Sequence, residues 1–326
     1  MRIKRALAVV ALSVLGLVAG AAAWAASPAD VKQSAECVKC HDDEDLPAWQ
    51  RSAHAQAKDA RTPACTTCHG MSEGHVHKPQ GGSQPKPDRM FKKGSPTPIA
   101  ERNAACLTCH QKDARRAMWG GSQHESADLA CNSCHQIHTN TDKVLARVTQ
   151  TEVCFTCHKE QRTQLMRPSH HPIPEGKMTC SDCHNVHGST GPKLVKRDST
   201  NDTCFTCHAE KRGPFVNSHE PVTEDCAICH NPHGSTVEAM LKTRPPMLCQ
   251  QCHTPHVQGG VGAVGGQPGV FPPAAPGQLS SAITGTTSGK NVVNMWQGRA
   301  CLNCHTQVHG SNNPSATNPS SRLFFR

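Results

Sequence analysis

The sequence predicts an extended, mostly irregular chain with short α-helices, little β structure and a core that its own side chains do not supply. Three observations lead to this fold class. No stretch of the 326 residues sustains the alternation of apolar and polar side chains that indicates a strand. Phe and Trp total eleven and tyrosine is absent, which is too little for an ordinary core in a chain this long. All 20 cysteines fall in one short motif that recurs ten times.

The recurring motif is C-x-x-C-H. Zinc ribbons and thiol redox pairs also contain C-x-x-C, but neither needs a histidine after every pair. Ten copies with no cysteine left over indicate ten covalently bound haem c groups, each held by two thioether bonds and by a proximal histidine on the iron. The predicted attachment residues are Cys37, Cys40, Cys65, Cys68, Cys106, Cys109, Cys131, Cys134, Cys154, Cys157, Cys180, Cys183, Cys204, Cys207, Cys226, Cys229, Cys249, Cys252, Cys301 and Cys304. The predicted proximal ligands are His41, His69, His110, His135, His158, His184, His208, His230, His253 and His305.

The other histidines provide ten candidate sites for the distal side of the irons. Five follow a motif closely, as in CSDCHNVH at 180–187, four follow a serine by one or two residues, and one is the His75/His77 pair after the second motif. Two sites have an alternative: we favour His75 over His77 marginally, and His170 over His171 because an H-x-P sequence also occurs at His219. The predicted distal ligands are His54, His75, His124, His138, His170, His187, His219, His233, His256 and His309. Two histidines per iron predict low-spin haem at the low end of the haem potential range.

The short H-x-x-H spacing and the order of the motifs predict a repeat. The first histidine faces its own haem, so the second should point away and bind a neighbouring iron. The sequences TEVCFTCHKEQR at 151–162 and NDTCFTCHAEKR at 201–212 begin two similar copies. Residues 26–326 are therefore predicted to form one domain of about five two-haem repeats. Two Gly/Pro-rich segments interrupt it, a basic one at 76–96 and a nearly uncharged insertion at 257–290, which is either a linker or a surface for a partner.

The first 25 residues predict export. Arg2, Lys4 and Arg5 precede the apolar run ALAVVALSVLGLVAG and a small-residue cleavage site at Ala23-Trp24-Ala25, the pattern of a signal peptide. A retained membrane anchor is the alternative, because the apolar stretch is long enough to span a bilayer. No cysteine follows the cleavage site directly, which argues against a lipoprotein. Covalent haem attachment takes place outside the cytoplasm and agrees with export.

The positive charge does not indicate a nucleic-acid partner. The formal net charge of +9 falls by three, to +6, when the signal peptide is removed. Ten haems would add about 20 propionate charges and about ten compensating charges at ferric iron, so the lysines and arginines are interpreted as propionate partners. Without haem, the chain could not bury enough surface to offset its conformational entropy, and we expect the apoprotein to be disordered.

Ten closely spaced haems suit long-range electron transfer. Each porphyrin is roughly as wide as a helix, so ten in line reach on the order of 80–100 Å, against a hydrocarbon core of about 30 Å. Such a wire could cross an outer membrane, but its polar loops could not face lipid. Because this chain has no strand pattern for a barrel of its own, a separate β-barrel porin would have to enclose it.

The motif number and spacing, with CLNCHTQVHGSNNP near the C-terminus, resemble the MtrA/DmsE/PioA family of periplasmic decahaem cytochromes over nearly the whole mature chain. The resemblance implies a staggered haem chain inserted in an outer-membrane porin, with periplasmic and extracellular cytochromes as further partners. It also implies a monomer within a hetero-complex that serves extracellular iron reduction, dimethyl sulfoxide respiration or Fe(II) oxidation.

Three other functions compete with this one. A multihaem reductase enzyme needs an iron with an open position, whereas candidate ligands suffice for all ten irons here. A free periplasmic electron shuttle would have the same haems and no porin. A surface terminal reductase would be expected to carry additional β domains and a lipid anchor. The direction of electron flow stays open, because a bis-histidine wire conducts both ways.

Overall fold

The structure is a computed structural model that describes residues 34–42, 46, 51–55, 61–77, 81–253, 301–303 and 305–312. The predicted signal peptide, the insertion at 257–290, Cys304 and His256 lie outside these residues. Within them, short helices and turns dominate, and the only strands are two residues long. The predicted fold class, mostly irregular with short α-helices and little β structure, is confirmed.

Helices form mainly at the haem-binding motifs. Beyond a helical turn at 34–37, the α-helices are α1 (Cys65–His69), α2 (Glu73–Val76), α3 (Ile99–His110), α4 (Gln123–Ser126), α5 (Gln150–Phe155), α6 (Lys159–Leu165), α7 (Cys180–Cys183), α8 (Thr200–Phe205) and α9 (Glu220–Glu224). Short turns of 3-10 helix form at Ala53–Ala55, Cys131–Ser133, Pro192–Leu194, Ala209–Lys211, Cys226–Ile228, Glu238–Met240, Cys249–Gln251 and Cys301–Asn303. A helical turn suits C-x-x-C because it places both sulfur atoms on one side of the backbone.

The longest of the described helices, α3, carries a complete motif. Thr97-Pro98 precedes it in the sequence, a pair typical of a helix start. Pro98 is the residue before the first turn, while the hydroxyl of Thr97 accepts a hydrogen bond from the N–H of Met90 at 2.9 Å. The threonine therefore ties the preceding basic loop to the helix start and does not cap the helix.

The strands β1 (Asn217–Ser218) and β2 (Gly310–Ser311) form one antiparallel pair, with Asn217 opposite Ser311 and Ser218 opposite Gly310. A single bridge with the same direction joins Ser169 to Ser235. Each pairing joins a segment in which a histidine follows a serine to a segment in which a second histidine follows a C-x-x-C-H motif. These short ladders therefore position candidate ligands and do not build a sheet.

Side chains alone do not form a core in the described part of the chain. The buried apolar residues there are few and mostly small, and only Leu165 is completely enclosed. They are Ala64, Ala105, Ala130, Leu165, Leu194 and Val195. A chain with so little buried apolar surface needs another source of cohesion to offset its conformational entropy. Bound porphyrins would provide it.

The chain divides into two compact units, Met1–Val153 and Cys154–Arg326. We call them the N-terminal unit and the C-terminal unit. Among the residues that the structure describes, no helix is both long enough and apolar enough to span a bilayer.

Candidate haem-binding sites

The motifs associate two by two through their first cysteines. In each association the thiol of one first cysteine interacts with the thiol of the next motif's first cysteine, and this interaction shifts the pKa of at least one of the two. The pairs are Cys37 with Cys65, Cys106 with Cys131, Cys154 with Cys180, Cys204 with Cys226, and Cys249 with Cys301. In the Cys106–Cys131 pair the interaction with the Cys106 thiol lowers the pKa of Cys131 to about 7. None of the described cysteines is in a disulfide, so these thiols are available for thioether formation.

A hydrogen bond to the backbone also recurs in three of these associations. The side chain three residues before the first cysteine of one motif accepts from the backbone N–H of the first cysteine of the next. The distances are 2.9 Å for Ser34 and Cys65, 2.8 Å for Asn103 and Cys131, and 2.7 Å for Asn201 and Cys226. The two asparagines also donate to a carbonyl shortly before that cysteine, on Leu129 and on Val222. We propose that each association is one of the two-haem repeats predicted from the sequence.

Seven pairs of histidine rings face each other among the described residues, with ring centres 6.0 to 6.3 Å apart. In each pair one ring belongs to a motif and the other is a non-motif histidine. The pairs are His41–His75, His110–His54, His69–His138, His208–His171, His184–His233, His253–His219 and His230–His309. An imidazole nitrogen lies about 2 Å from a metal that it binds and its ring centre about 1 Å further, so two rings on opposite sides of one ion have centres about 6 Å apart. The spacing therefore leaves room for one iron between the rings.

The second histidine of an H-x-x-H stretch faces a different motif from its own. His138 lies opposite His69, and His233 lies opposite His184. His309, one residue further from its motif, likewise lies opposite His230. The stretch from His230 to His233 therefore contributes to two sites, because His230 and His233 belong to different pairs. The other predicted ligands within the described residues are not members of these seven pairs: His124, His135, His158, His187 and His305.

The structure places His171, and not His170, opposite His208. The H-x-P pattern in the sequence predicts His170 as the distal ligand at this site. The Nδ1 of His170 is hydrogen-bonded to the carbonyl of Arg167 and its Nε2 to the carboxylate of Glu175 at 3.0 Å, so both ring nitrogens are engaged. His171 instead directs Nδ1 toward the carbonyl of Pro232 at 2.7 Å, which leaves Nε2 for a metal.

Strand register explains this correction. Ser169 pairs with Ser235 as Asn217 pairs with Ser311, so the residue two positions further is His171 in one case and His219 in the other. A sequence signal for this choice exists. Serine stands two residues before His54 and His124, and the same spacing from Ser169 leads to His171.

His75 and His77, the two alternatives at another site, have different surroundings. His75 faces His41 and places its Nδ1 2.7 Å from the carbonyl of Pro85. His77 is exposed, and its Nε2 lies 3.3 Å from the carboxylate of Glu73 one turn earlier. The position of His75 thus agrees with a ligand role and that of His77 with a surface ion pair.

Backbone carbonyls orient six of the fourteen paired rings. A carbonyl that accepts the Nδ1 proton fixes the tautomer and leaves Nε2 free to bind a metal. In addition to the carbonyls facing His75 and His171, the distances from Nδ1 are 3.0 Å for His69 to Arg89, 3.0 Å for His184 to Lys193, 2.7 Å for His230 to Ala239, and 2.9 Å for His219 to Val308.

The carbonyls facing His184 and His230 belong to residues with left-handed backbone. Lys193 and Ala239 both have a φ of 53°, which few non-glycine residues adopt. The chain then returns to the motif, where Lys196 and Lys242 donate their N–H groups to the carbonyls of Cys183 and Cys229 at 2.8 and 2.9 Å. The similar sequences after the two motifs thus produce the same turn twice.

The basic Gly/Pro-rich loop holds two rings in the N-terminal unit. Residues 81–96 contain no helix or strand. Asp88 and Ser72 exchange two hydrogen bonds, at 2.8 and 3.1 Å, which anchor the loop at the start of α2. The adjoining carbonyls of Pro85 and Arg89 then receive the Nδ1 protons of His75 and His69. The loop predicted from composition is therefore part of the site.

Burial keeps the paired histidines in the form that binds metal. It lowers the pKa of seven of them because the charged imidazolium loses hydration. These are His54, His69, His110, His138, His184, His233 and His309. A neutral imidazole can donate its Nε2 lone pair to iron at neutral pH.

The residues fit haem c. Each ring pair stands close to a C-x-x-C motif with free thiols, and the described chain lacks the apolar core that porphyrin faces would supply. Arg102 on α3 is 8% exposed, and its Nε has no hydrogen-bond partner among the described residues. A guanidinium buried beside a haem motif is a suitable partner for a propionate. The described residues also contain no group of three or more His, Cys, Asp or Glu arranged as a metal site.

Comparisons with known proteins agree with this geometry. The doubled CXXCH motif family matches residues 170–213 and 219–258, and the NrfB-like cytochrome c-type protein family matches residues 65–149. The multiheme cytochrome MtrA of Shewanella baltica is 42% identical over 292 residues, which are 87% of this chain and 80% of that protein. The cytochrome c-type protein NrfB is 26% identical over 133 residues in Escherichia coli, covering 40% of this chain and 67% of that protein. The NrfB of Haemophilus influenzae is 27% identical over 147 residues, covering 39% of this chain and 65% of that protein.

Proposed function

Because this chain belongs to the MtrA family of multihaem cytochromes, we propose that it is a decahaem electron conduit that works inside an outer-membrane porin. Electron transfer through covalently bound haem c follows from the family and the C-x-x-C-H motifs. The observation that carries the finer proposal is the set of seven facing histidine pairs. They occur in both units, from His41 to His309.

Ten haems are proposed from the ten motifs, with the ten motif histidines as proximal ligands. Seven distal ligands are the facing histidines described above. His124, His187 and His256 would serve the other three irons, which gives two histidines to every iron. When bound, the haems supply reversible one-electron exchange, and the protein supplies their spacing, their axial ligands and their surroundings.

The chain's residues favour electron transfer over substrate chemistry. Facing imidazoles on both sides of an iron leave no position for a substrate. The carbonyls that accept the Nδ1 protons hold the rings in place and so keep the site closed. We therefore propose that the protein is not an enzyme, in contrast to a multihaem reductase, which needs one open iron.

The proposed location is the periplasmic side of the outer membrane. A β-barrel porin would enclose the chain, with periplasmic and extracellular cytochromes as electron partners. The physiological process would be extracellular iron reduction or Fe(II) oxidation. The alternative is a free periplasmic shuttle, which would have the same haem sites without the porin.

Haem stoichiometry and carbon monoxide binding test the ligand assignment. The mature protein, purified with its haems, should contain ten haems by pyridine haemochrome assay and intact mass. The ferric protein should be low-spin, and the reduced protein should not bind carbon monoxide. Substantially fewer haems, or a high-spin fraction of one haem or more, would refute the assignment.

Purification from membranes tests the conduit. An affinity-tagged chain should bring a β-barrel protein with it. Vesicles that contain the complex should pass electrons from an enclosed reductant to an external ferric chelate. Recovery of the tagged chain alone from the soluble fraction, with all haems present, would favour the shuttle.

A further inference from the structure

Two neighbouring motifs of the N-terminal unit have opposite charges beside their motif histidines. We propose that Asp142 and Arg116 set a step in redox potential between the haem of Cys131/Cys134 and the haem of Cys106/Cys109. Asp142 would lower the first potential and Arg116 would raise the second. The inference rests on the proposed ligand roles of His135 and His110.

The carboxylate of Asp142 accepts the Nδ1 proton of His135. The distance from Nδ1 to Oδ2 is 2.6 Å, and the Asp142 side chain is only 13% exposed. Its other oxygen accepts from the N–H groups of Gln136 and Val144, at 3.2 and 3.3 Å. The carboxylate is thus fixed by backbone on one side and by the imidazole on the other.

This arrangement differs from the paired motif histidines whose Nδ1 faces a carbonyl. A carboxylate accepts a proton more strongly than a neutral carbonyl does, so it increases the negative charge that the ring can donate to a metal. Added negative charge stabilises Fe(III) relative to Fe(II). The potential at His135 is therefore lower than a carbonyl partner would give.

A cation lies beside the other motif histidine. Arg116 places Nη2 3.4 Å from Nδ1 of His110 and donates from Nε to the carbonyl of the same residue at 3.3 Å. The guanidinium is 26% exposed and is also paired with the more exposed carboxylate of Asp113. A positive charge held against the ring opposes the additional positive charge of Fe(III). The potential at His110 is therefore raised, and Asp113 moderates the effect.

The ring geometry gives this second site its own spectroscopic signature. The planes of His110 and His54 are 79° apart, whereas those of His230 and His309 are 13° apart. Crossed rings leave the two iron dπ orbitals nearly equal in energy, which increases the anisotropy of the ferric g tensor. The site at His110 should then give a low-spin signal with a larger maximal g value than the near-parallel sites.

Two substitutions in the haem-loaded protein test the step by redox titration of the optical spectrum. Asp142→Asn should shift one haem's share of the absorbance change to higher potential, and Asp142→Glu should restore part of the shift. Arg116→Gln should shift one haem's fraction of the absorbance change to lower potential. Electron paramagnetic resonance of samples held at successive potentials should show that this haem gives the low-spin signal with the larger maximal g value. Arg116→Lys should leave most of the titration unchanged.

Glu175→Gln is the matched control. It removes a carboxylate that contacts His170, whose neighbour His171 is the ring that faces the motif histidine. The titration curve of this variant should overlay that of the unchanged protein. The inference would be overturned if the titration curve of Asp142→Asn coincided with that of the unchanged protein, or if Arg116→Gln shifted the curve to higher potential. If Asp142→Asn loses a haem, the two Arg116 variants decide by themselves. Ten haems and low-spin spectra in every variant would leave the proposed function standing in each case.

Discussion

The two units hold their candidate ligands in different ways. In the C-terminal unit, two arrangements each occur twice. His184 and His230 face carbonyls of residues with left-handed backbone. His171 and His219 face the carbonyl of the residue that precedes another candidate ligand. In the N-terminal unit, three different groups lie against the motif histidines, namely the loop at 81–96, the carboxylate of Asp142 and the guanidinium of Arg116. The motif therefore fixes where a haem attaches, and the segments between motifs determine its surroundings.

Among substitutions that test this difference between the units, we expect the largest effect at the adjacent histidines His170 and His171 of the C-terminal unit. His171→Ala should convert one haem to a high-spin, five-coordinate form, because the ring that faces His208 is lost. The reduced variant should then bind one equivalent of carbon monoxide. His170→Ala is the control and should remain low-spin. A low-spin His171→Ala protein together with a high-spin His170→Ala protein would reverse the assignment.

His170 and His171 also separate what the local sequence predicts from what depends on contacts between distant segments. The attachment cysteines and motif histidines follow from local chemistry, because C-x-x-C-H encodes its function within five residues. The fold class follows from the shortage of apolar side chains. A local H-x-P pattern favours His170, but the position is decided by a bridge to Ser235, far along the chain. Asp142 could not be identified in advance, because nothing local distinguishes it from other acidic residues in loops.

The next largest effect concerns the strand pair of the C-terminal unit. Gly310 has a φ of 141°, and a Cβ there would lie 2.2 Å from Cδ2 of Phe215. Gly310→Ala should destabilise the unit by about 2 kcal/mol or more, since left-handed strain and overlap add. Thermal unfolding followed by loss of the low-spin spectrum measures this. Gly120→Ala in the N-terminal unit has open space around it and should stay within about 0.5 kcal/mol of the unchanged protein.

A smaller effect is expected at the loop of the N-terminal unit. Asp88→Ala removes the hydrogen bond from the N–H of Ser72 to the Asp88 carboxylate and weakens the bond from the N–H of residue 88 to the Ser72 hydroxyl. The free energy of unfolding should fall by about 1–2 kcal/mol. Amide hydrogen exchange should accelerate at Arg89, whose N–H donates to the carbonyl of His69. The control is Asp198→Ala, since Asp198 accepts from the hydroxyl of Thr190 in the other unit. Equal exchange in the two variants would contradict an anchoring role for Asp88.

We expect the smallest effect at the two left-handed turns of the C-terminal unit. Ala239→Gly should stabilise the protein by roughly 0.5 kcal/mol, because a left-handed residue costs about 1–2 kcal/mol and glycine adds only about 0.4–1 kcal/mol of chain entropy to the unfolded state. Lys193→Gly should behave alike, since its backbone has the same φ. Melting temperatures of the two variants check this. Opposite signs would show that the two turns are not equivalent.

The stretch from His230 to His233 limits how a chain of this kind can gain or lose haem motifs. Under the proposed ligation it supplies one iron of its own motif and one of an earlier motif. Removing a single motif would therefore strip a ligand from a haem that stays behind. If whole repeats are added or removed, most irons keep both of their histidines. Only irons at the ends of the altered segment lose or gain a ligand.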